Sequence, residues 1–305
     1  MSSRPSTYIM EWVTKTLAVL YGIEEIIYSG RTRYQKVDVV RTRDYGLALV
    51  LDGLLQSAEV DEHVYHESLV HPVMLTHPNP RRVLVIGGGE GATIREVERY
   101  REVEELTMVD LDEELIQITR RHLPSWSQGA FEDKRLKLII AEGREFLSKQ
   151  PNNSYDVIIL DATDPVEWGP AIKLYTKEFY EIAERKLSPD GILVTQASSL
   201  SHSPQIFLSI ERTLGEVFPK TCSYSVYVKS FASIWGFAVG SKSILPSELF
   251  SKDVEKRLRE RGVKGLRFYS GKVHEALFNL TKAFMKSWRS TAIVLTDEKP
   301  LPKNT

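Results

Sequence analysis

Five short, continuous apolar runs recur in the middle of the chain, separated by segments with helical spacing. The runs are residues 83–86, 106–109, 136–140, 157–160 and 192–195. A strand without polar alternation is buried on both faces, which is typical of a parallel sheet covered by helices. Between the runs, Leu115 and Ile118 recur at helical spacing, and the acids at 112–114 mark a helix N-terminus. With two later runs at 224–228 and 234–239, this pattern predicts a doubly wound, Rossmann-like α/β sheet of seven strands.

The first sixty residues carry a different pattern. Two β-rich runs at 34–40 and 45–51, the second followed by an Asp-Gly turn signal, predict a small antiparallel sheet. We therefore expect a β-rich N-terminal domain over residues 1–62. A Rossmann-like catalytic domain is expected over residues 63–305, with a helical C-terminal extension from about residue 241.

Composition excludes several classes of protein. A hydrophobic content of 42% and a charged content of 27% are ordinary for a globular chain, and 305 residues can bury a full core. The net charge of -1 predicts neither nucleic-acid nor membrane binding. The single cysteine, Cys222, allows no intrachain disulfide and fits a reducing compartment. No run approaches the ~20 apolar residues of a spanning helix and no signal peptide is visible, so we expect a cytoplasmic protein.

A glycine-rich loop follows the first apolar run. Residues 87–91 read Gly-Gly-Gly-Glu-Gly, and glycines allow both a tight turn and a close approach of a nucleotide to the main chain. Asp110 closes the next run, where an acid accepts hydrogen bonds from ribose hydroxyls. This order of strand, loop, helix and acid predicts a nucleotide site rather than a plain turn. A dinucleotide, S-adenosylmethionine or a relative of it would each fit.

Glu90, inside this loop, narrows the choice of ligand. A methyltransferase must hold the carboxylate of the methionine tail near the loop, and an acid at that place would repel it. Glu90 instead suits a tail that carries only an ammonium group. If Glu90 faces the ligand, its charge indicates decarboxylated S-adenosylmethionine.

Acidic side chains also follow two further apolar runs. They are Asp161, Asp164 and Glu142. Ligands of open α/β sheets bind beyond the carboxyl ends of the strands, so we expect these acids to reach the crevice of Glu90 and Asp110. Converging carboxylates repel one another unless a cation binds, and Mg²⁺ and a polyamine are both candidates. The alternative is that the Asp-Pro pair at 164–165 is only an exposed turn.

Together these motifs resemble the polyamine aminopropyltransferases, the spermidine and spermine synthase family. The resemblance also rests on Tyr34-Gln35, on residues 51–56 and 61–67, and on Gly169-Pro170, and it extends from about 30 to 240. It implies a seven-stranded sheet of methyltransferase type behind a small N-terminal antiparallel β domain. That domain would serve oligomerisation, into homodimers or homotetramers, and would form part of the active-site rim.

The resemblance implies transfer of an aminopropyl group from decarboxylated S-adenosylmethionine to an amine, with release of methylthioadenosine. This co-substrate replaces a cofactor, no metal is required, and no nucleic acid or membrane partner is implied. By position, Asp161 helps to deprotonate the attacking amine. The residues implied to contact the amine groups are Tyr65, His66, Glu90, Asp164 and Gln196. The residues implied to bind the nucleoside are Gln35, Gln56, Gly87, Gly89, Asp110, Glu142, Gly143 and Pro170.

The chain departs from the common family pattern at the acceptor end. Ser230 stands where common spermidine synthases carry a Tyr that helps to hold putrescine, and the spacer 166–168 is longer than usual. The Glu90 variant, residues 57–59, 164–167 and 174–177, and the Ser-Phe-Ala-x-x-Trp-Gly string at 230–236 resemble the thermospermine-synthase branch. Because a smaller residue at 230 would open the pocket, we expect a triamine acceptor such as spermidine or an aminopropylated agmatine. Putrescine and agmatine are the alternatives.

Three rival functions predict different behaviour. A methyltransferase would make a methylated product, which conflicts with the charge of Glu90. A nicotinamide oxidoreductase leaves the second acidic cluster without a role. A non-catalytic polyamine-binding protein would bind amines without turnover, and the presence of Asp161 argues against it.

Overall fold

The computed structural model describes residues 5–167, 169–285 and 292–302. Trp168, the last residue of the longer spacer, lies outside the described residues. The chain begins with a five-stranded antiparallel sheet in the order β1-β2-β3-β4-β5. Its strands are β1 (Thr7–Trp12), β2 (Ala18–Arg31), β3 (Lys36–Thr42), β4 (Gly46–Leu51) and β5 (Leu54–Ala58). The predicted small antiparallel sheet is confirmed.

The second sheet has seven strands in the order β11-β12-β10-β9-β6-β7-β8. They are β6 (Arg82–Gly87), β7 (Glu105–Asp110), β8 (Leu136–Ile140), β9 (Tyr155–Asp161), β10 (Leu187–Ser199), β11 (Lys220–Val228) and β12 (Ser233–Ser241). The five strands from β6 to β10 run parallel, and β12 pairs antiparallel with both β10 and β11. Each predicted apolar run lies in one of these strands, so the predicted seven-stranded Rossmann-like sheet is confirmed.

Helices cover both faces of this sheet. They are α1 (Glu62–Thr76), α2 (Ala92–Glu98), α3 (Glu113–His122), α4 (Pro124–Ser127), α5 (Gly143–Lys149), α6 (Lys177–Lys186), α7 (Pro204–Gly215), α8 (Ser251–Glu260) and α9 (Gly271–Met285). Val83 and Val85 of β6 belong to the core that includes Leu69 of α1, whereas Leu84 belongs to the core that includes Phe179 of α6. Both faces of the strand are therefore buried, which explains its uninterrupted apolar sequence. Within the described residues, no helix is long and apolar enough to cross a bilayer.

The antiparallel sheet packs on helices that follow strands of the parallel sheet. Val37 and Leu49 of this sheet share a core with Leu115 of α3 and Trp126 of α4. The Trp126 indole N–H also donates to Ser57 Oγ at 2.7 Å. Apolar burial and one buried hydrogen bond thus fix the N-terminal sheet over the carboxyl edge of the parallel sheet.

The chain order creates a switch point between β6 and β9. From β6 the chain proceeds through β7 to β8 on one side, and then returns to β9 on the other side. Gly87, the last residue of β6, pairs with Asp161, the last residue of β9. Ligands of open α/β sheets bind at such a switch point, so the fold places the glycine loop and the acidic cluster in one crevice.

The segment before α9 is tied to the middle of α1 by one buried carboxylate. Glu67, which is 1% exposed, accepts hydrogen bonds from the backbone N–H groups of Arg267 (2.8 Å), Phe268 (2.9 Å) and Tyr269 (2.7 Å). An ionised acceptor forms stronger hydrogen bonds than a neutral one. The C-terminal part of the chain is therefore held against the helix that borders the crevice.

We expect Glu67→Gln to lower the free energy of unfolding by about 2 kcal/mol, because an amide cannot satisfy three converging N–H donors. A denaturant titration followed by circular dichroism measures this change. The matched control is Glu145→Gln, which removes an exposed carboxylate paired only with Lys149 and should change little. Equal changes in the free energy of unfolding for the two substitutions would contradict a stabilising role of the hydrogen bonds to Glu67.

Candidate functional site

A cavity of about 490 Å³ lies at the carboxyl ends of β6 and β9. Its walls come from the antiparallel sheet, including β1, from α1 and from the ends of the parallel strands. Every residue to which the family resemblance assigned a role lines this cavity. They are Gln35, Gln56, Tyr65, His66, Gly87, Gly89, Glu90, Asp110, Glu142, Gly143, Asp161, Asp164, Pro170 and Gln196. Ser230 does not line it.

The glycine loop needs glycine because two strand ends approach closely. Gly87 has φ +86° and Gly88 has φ +76°, a region that side chains rarely adopt. A Cβ atom on Gly87 would lie 2.2 Å from the carbonyl oxygen of Asp161. The Gly88 N–H donates to that same oxygen at 2.9 Å. The loop is thereby joined to the strand that carries Asp161.

Asp161 is held by two hydroxyl groups. Tyr65 Oη donates to Oδ1 at 2.9 Å, and Thr93 Oγ1 donates to Oδ2 at 2.5 Å. Neither carboxylate oxygen has an ion-pair partner within 4 Å among the described residues. Neutral donors fix the orientation of the carboxylate without cancelling its charge. Asp161 can therefore accept a proton from an amine in the cavity.

Asp164 is oriented by a second set of neutral donors. Gln196 Nε2 donates to Oδ1 at 3.1 Å, and Ser198 Oγ donates to Oδ2 at 3.2 Å. Burial raises the pKa of Asp164 to about 6, although these hydrogen bonds act to lower it. Ser198 adopts φ +64° where the pairing of β10 with β12 shifts register. Strain of this kind in a side-chain-bearing residue is common at functional sites.

The side-chain amide of Gln196 is fully engaged in hydrogen bonds around Asp164. Its amide nitrogen also donates to the Ala162 carbonyl and to Tyr175 Oη, and its oxygen accepts from the Ser198 N–H. The sequence placed Gln196 among the amine contacts. In the structure its hydrogen bonds serve to orient Asp164.

His66 lies between Glu90, which lines the cavity, and Glu62, which lies behind it. Its Nδ1 is 2.7 Å from the Glu62 carbonyl oxygen, and its Nε2 is 2.8 Å from Glu90 Oε1. Burial acts to lower the pKa of His66, but the hydrogen bonds to Glu62 and Glu90 and the charges of Glu90 and Asp161 raise it to about 10. Burial raises the pKa of Glu90, against the opposing effect of His66. Both His66 nitrogens are thus engaged with protein atoms.

The end of the cavity where the resemblance predicts the nucleoside is built from helix starts. Asp112 caps α3 by accepting the Leu115 N–H, and it also accepts Gln35 Nε2 at 3.0 Å. Asp110 accepts the Asp112 N–H at 2.9 Å, and burial raises the pKa of Asp110 to about 6. Gln35 therefore contacts the neighbour of the predicted ribose acid, which joins the antiparallel sheet to this end of the cavity.

Glu142 and Gly143 begin α5 at the same end. Glu142 caps the helix by accepting the N–H groups of Arg144 (2.9 Å) and Glu145 (2.6 Å). A Cβ atom on Gly143 would lie 2.4 Å from Ile86 Cγ2, so glycine permits the close packing of α5 on β6. Both residues therefore have a structural role beside the one implied by the resemblance.

Sequence reasoning missed one acidic part of the wall, Glu11, whereas it weighed Phe231 and Trp235 as packing residues that could line the acceptor pocket. Glu11 of β1 lines the cavity, accepts the Leu55 N–H at 3.0 Å and has no ion pair among the described residues. Burial raises the pKa of Glu11. Phe231 and Trp235 also line the cavity, with ring centroids 4.8 Å apart. Glu11 lies outside the recognised motifs, and no local pattern marked it.

Ser230 has a different place from the one expected. It is fully buried, and both its N–H and its Oγ donate to Asp61, at 2.7 and 2.8 Å. Its small size therefore does not open the cavity directly.

Across the ranges that the structure covers, no group of three or more His, Cys, Asp or Glu side chains is arranged to hold a metal ion.

Comparisons with known proteins agree with this geometry. Residues 62–253 match the model of the spermine/spermidine synthase domain, and residues 7–59 match the spermidine synthase tetramerisation domain. The chain is 44% identical over 297 residues to polyamine aminopropyltransferase 2 of Hyperthermus butylicus, covering 97% of both chains. It is 41% identical over 285 residues to the polyamine aminopropyltransferase of Aeropyrum pernix, covering 92% of this chain and 90% of the relative.

Solved structures show the same relationship. A spermidine synthase in complex with the transition state analogue AdoDATO superposes with a TM-score of 0.84 at 33% identity, covering 93% of this chain and 96% of that one. Spermidine synthase from Thermotoga maritima superposes with a TM-score of 0.82 at 31% identity, covering 93% of this chain and 95% of that one. The resemblance found in the sequence is confirmed, and the chain belongs to the spermine/spermidine synthase family of polyamine aminopropyltransferases.

Proposed function

We propose that this enzyme transfers the aminopropyl group of decarboxylated S-adenosylmethionine to an amine, with a triamine as the preferred acceptor. The observation that carries the proposal is the carboxylate of Asp161, which lines the cavity and is held by the neutral donors Tyr65 and Thr93. Glu90 and Asp164 line the same cavity and supply charge for two cationic substrates.

The reaction needs orientation and the removal of one proton. An alkylammonium has a pKa of ~10, so the acceptor arrives protonated and non-nucleophilic at neutral pH. Asp161 accepts one proton, and the freed nitrogen lone pair attacks the carbon next to the sulfonium. The new C–N bond forms as the C–S bond breaks, and its electron pair returns to sulfur as the neutral thioether of methylthioadenosine. Water then takes the proton from Asp161.

Glu11 favours a long acceptor over a short one. It lies on β1, whereas Asp161 and Asp164 lie at the end of β9 and in the loop after it. Burial is the largest cause of the raised pKa of Glu11, and the charge of Asp164 adds to it, so the two carboxylates interact electrostatically. A triamine carries a cation beyond the two of putrescine, and Glu11 offers an unpaired carboxylate to receive it.

The N-terminal sheet favours a homo-oligomer. Tyr8 and Met10 are 44% and 53% exposed on β1, and Leu20, which pairs with Met10, is 61% exposed on β2. Exposed apolar side chains clustered on one sheet commonly mark an interface. The match to a tetramerisation domain supports a second copy of this chain as the partner of this surface.

The rival methyltransferase reaction is disfavoured by Glu90, which lines the cavity beside the glycine loop. The carboxylate of intact S-adenosylmethionine would meet this buried acid at close range. Incubation with intact and decarboxylated donor, analysed by mass spectrometry, distinguishes the two reactions.

Asp161→Asn should lower kcat at least a hundredfold, because the amide cannot accept the amine proton. Binding of methylthioadenosine, measured by calorimetry, should stay close to that of the unmodified enzyme. The control is Asp190→Asn, an exposed position outside the cavity wall. Full activity of Asp161→Asn would show that the base is another group.

Glu11→Gln should lower kcat/KM for spermidine about tenfold and change kcat/KM for putrescine much less, because only the longer amine has a cation for Glu11. An acceptor panel with putrescine, agmatine, spermidine and aminopropylagmatine measures both values. Glu24→Gln, on the exposed side of the same sheet, serves as the control. A strong preference of the unmodified enzyme for putrescine over every triamine would refute the triamine proposal.

The acceptor kcat/KM should fall as the pH drops through about 6. Asp164, with its raised pKa of about 6, loses its charge in this range, while the acceptor ammonium keeps its own. Rates measured from pH 5 to 8 at saturating donor separate this effect from any titration of Asp110. Asp164→Asn should have a low and flatter profile, and an unmodified enzyme with no decline below pH 6 would contradict the assignment.

A further inference from the structure

We propose that Glu62 is a positioning residue for the ammonium group of the donor, acting through His66 on Glu90. The inference rests on the proposed function, since it concerns how decarboxylated S-adenosylmethionine is held. Glu62 is the first residue of α1, and its side chain is only 4% exposed. It was not among the residues to which the sequence assigned a role.

The hydrogen bonds of His66 define its protonation and its orientation. A backbone carbonyl can only accept, so Nδ1, at 2.7 Å from the Glu62 carbonyl oxygen, carries a hydrogen. Glu90 Oε1 lies 2.8 Å from Nε2, and the hydrogen bonds to Glu62 and Glu90 raise the pKa of His66 to about 10 against the effect of burial, so Nε2 carries the second hydrogen at neutral pH. His66 is therefore an imidazolium with both N–H groups committed, and neither is available to an amine in the cavity.

Glu62 supplies the charge that stabilises this imidazolium. Its Oε2 lies 3.3 Å from His66 Nδ1, on the side of the ring opposite Glu90. Arg95 donates to Oε2 at 2.9 Å and Arg267 donates to Oε1 at 3.1 Å, which keeps Glu62 ionised and fixed. Burial acts to raise the pKa of Glu62, but the hydrogen bond and charge of His66, followed by those of Arg95, lower it to about 2.

As a result, His66 binds one carboxylate oxygen of Glu90, and the other oxygen can still accept a hydrogen bond. His66 Nε2 donates a hydrogen bond to Oε1, and Oε2 has no hydrogen-bond or ion-pair partner in the described part of the chain. A carboxylate fixed in this way presents one acceptor to the cavity in a single orientation. A propylammonium tail would bind that acceptor without first ordering the Glu90 side chain.

Part of this arrangement comes from outside the matched family domain. Arg267 lies beyond residue 253, where that domain model ends. Glu67, five residues after Glu62 on α1, accepts hydrogen bonds from the backbone N–H groups of residues 267–269. The C-terminal segment therefore contributes a charge to the donor site although it does not line the cavity.

The test compares two ligands that differ by the aminopropyl group. Calorimetry gives the Kd of decarboxylated S-adenosylmethionine and of methylthioadenosine, which lacks the ammonium. Glu62→Gln should weaken the first about tenfold and leave the second unchanged. Arg267→Met, at a half-exposed position, should weaken the first about threefold in the same selective way.

The matched control is Arg261→Met. Arg261 also joins the C-terminal segment to the end of α1, where it donates to the carbonyls of His77 and Pro78, but it has no contact with Glu62. It should affect thermal stability and leave both Kd values unchanged. An equal loss of both ligands in Glu62→Gln and Arg267→Met would show a structural role and overturn the proposal.

A double-mutant cycle tests whether His66 carries the effect. In a His66→Gln background, Glu62→Gln should produce no further loss of donor affinity, because the connection is already broken. Additive losses would overturn the route through His66. These outcomes are distinct from failure of the proposed function, in which the unmodified enzyme would transfer no aminopropyl group to any amine.

Discussion

The contact between the ends of β6 and β9 is the constraint on which the site depends. The carbonyl oxygen of Asp161 lies where a side chain at Gly87 would be, and it accepts the N–H of Gly88. One pair of adjacent strands thus carries both the glycine-rich loop and the carboxylate that we propose as the proton acceptor. Because their separation is set by the sheet register, it does not depend on the flexibility of a loop.

The buried acids around the cavity fall into two groups according to their partners. Asp161 and Asp164, which line the cavity, accept hydrogen bonds from hydroxyl and amide groups. Glu62 and Glu96, which lie behind it, are paired with arginines. Neutral donors leave negative charge available to a cationic ligand, whereas an arginine would cancel it. Glu90 stands between the groups, since a histidine holds only one of its oxygens.

Most of the fold could be predicted from the sequence because the signals are local. Strands such as β6 are apolar on both faces, and the glycines at 87–91 follow directly. The site was predictable only where a known motif marked it. Thr93 and Asp161 are 68 residues apart in the sequence, and no local sequence pattern predicts the hydrogen bond between them.

The acceptor end shows why the sequence alone was insufficient there. Alignment of Ser230 with a family tyrosine suggested that a small residue widens the pocket, yet its hydroxyl is bound to Asp61. The wall is made instead by Phe231, Trp235 and Glu11, which come from the two ends of the matched region. Gly87, Asp110 and Asp161 lie at the ends of parallel strands, whose positions the sheet fixes. Glu11 lies on β1 of the other sheet and Phe231 precedes β12, so substitutions at these two positions leave the parallel strand ends in place.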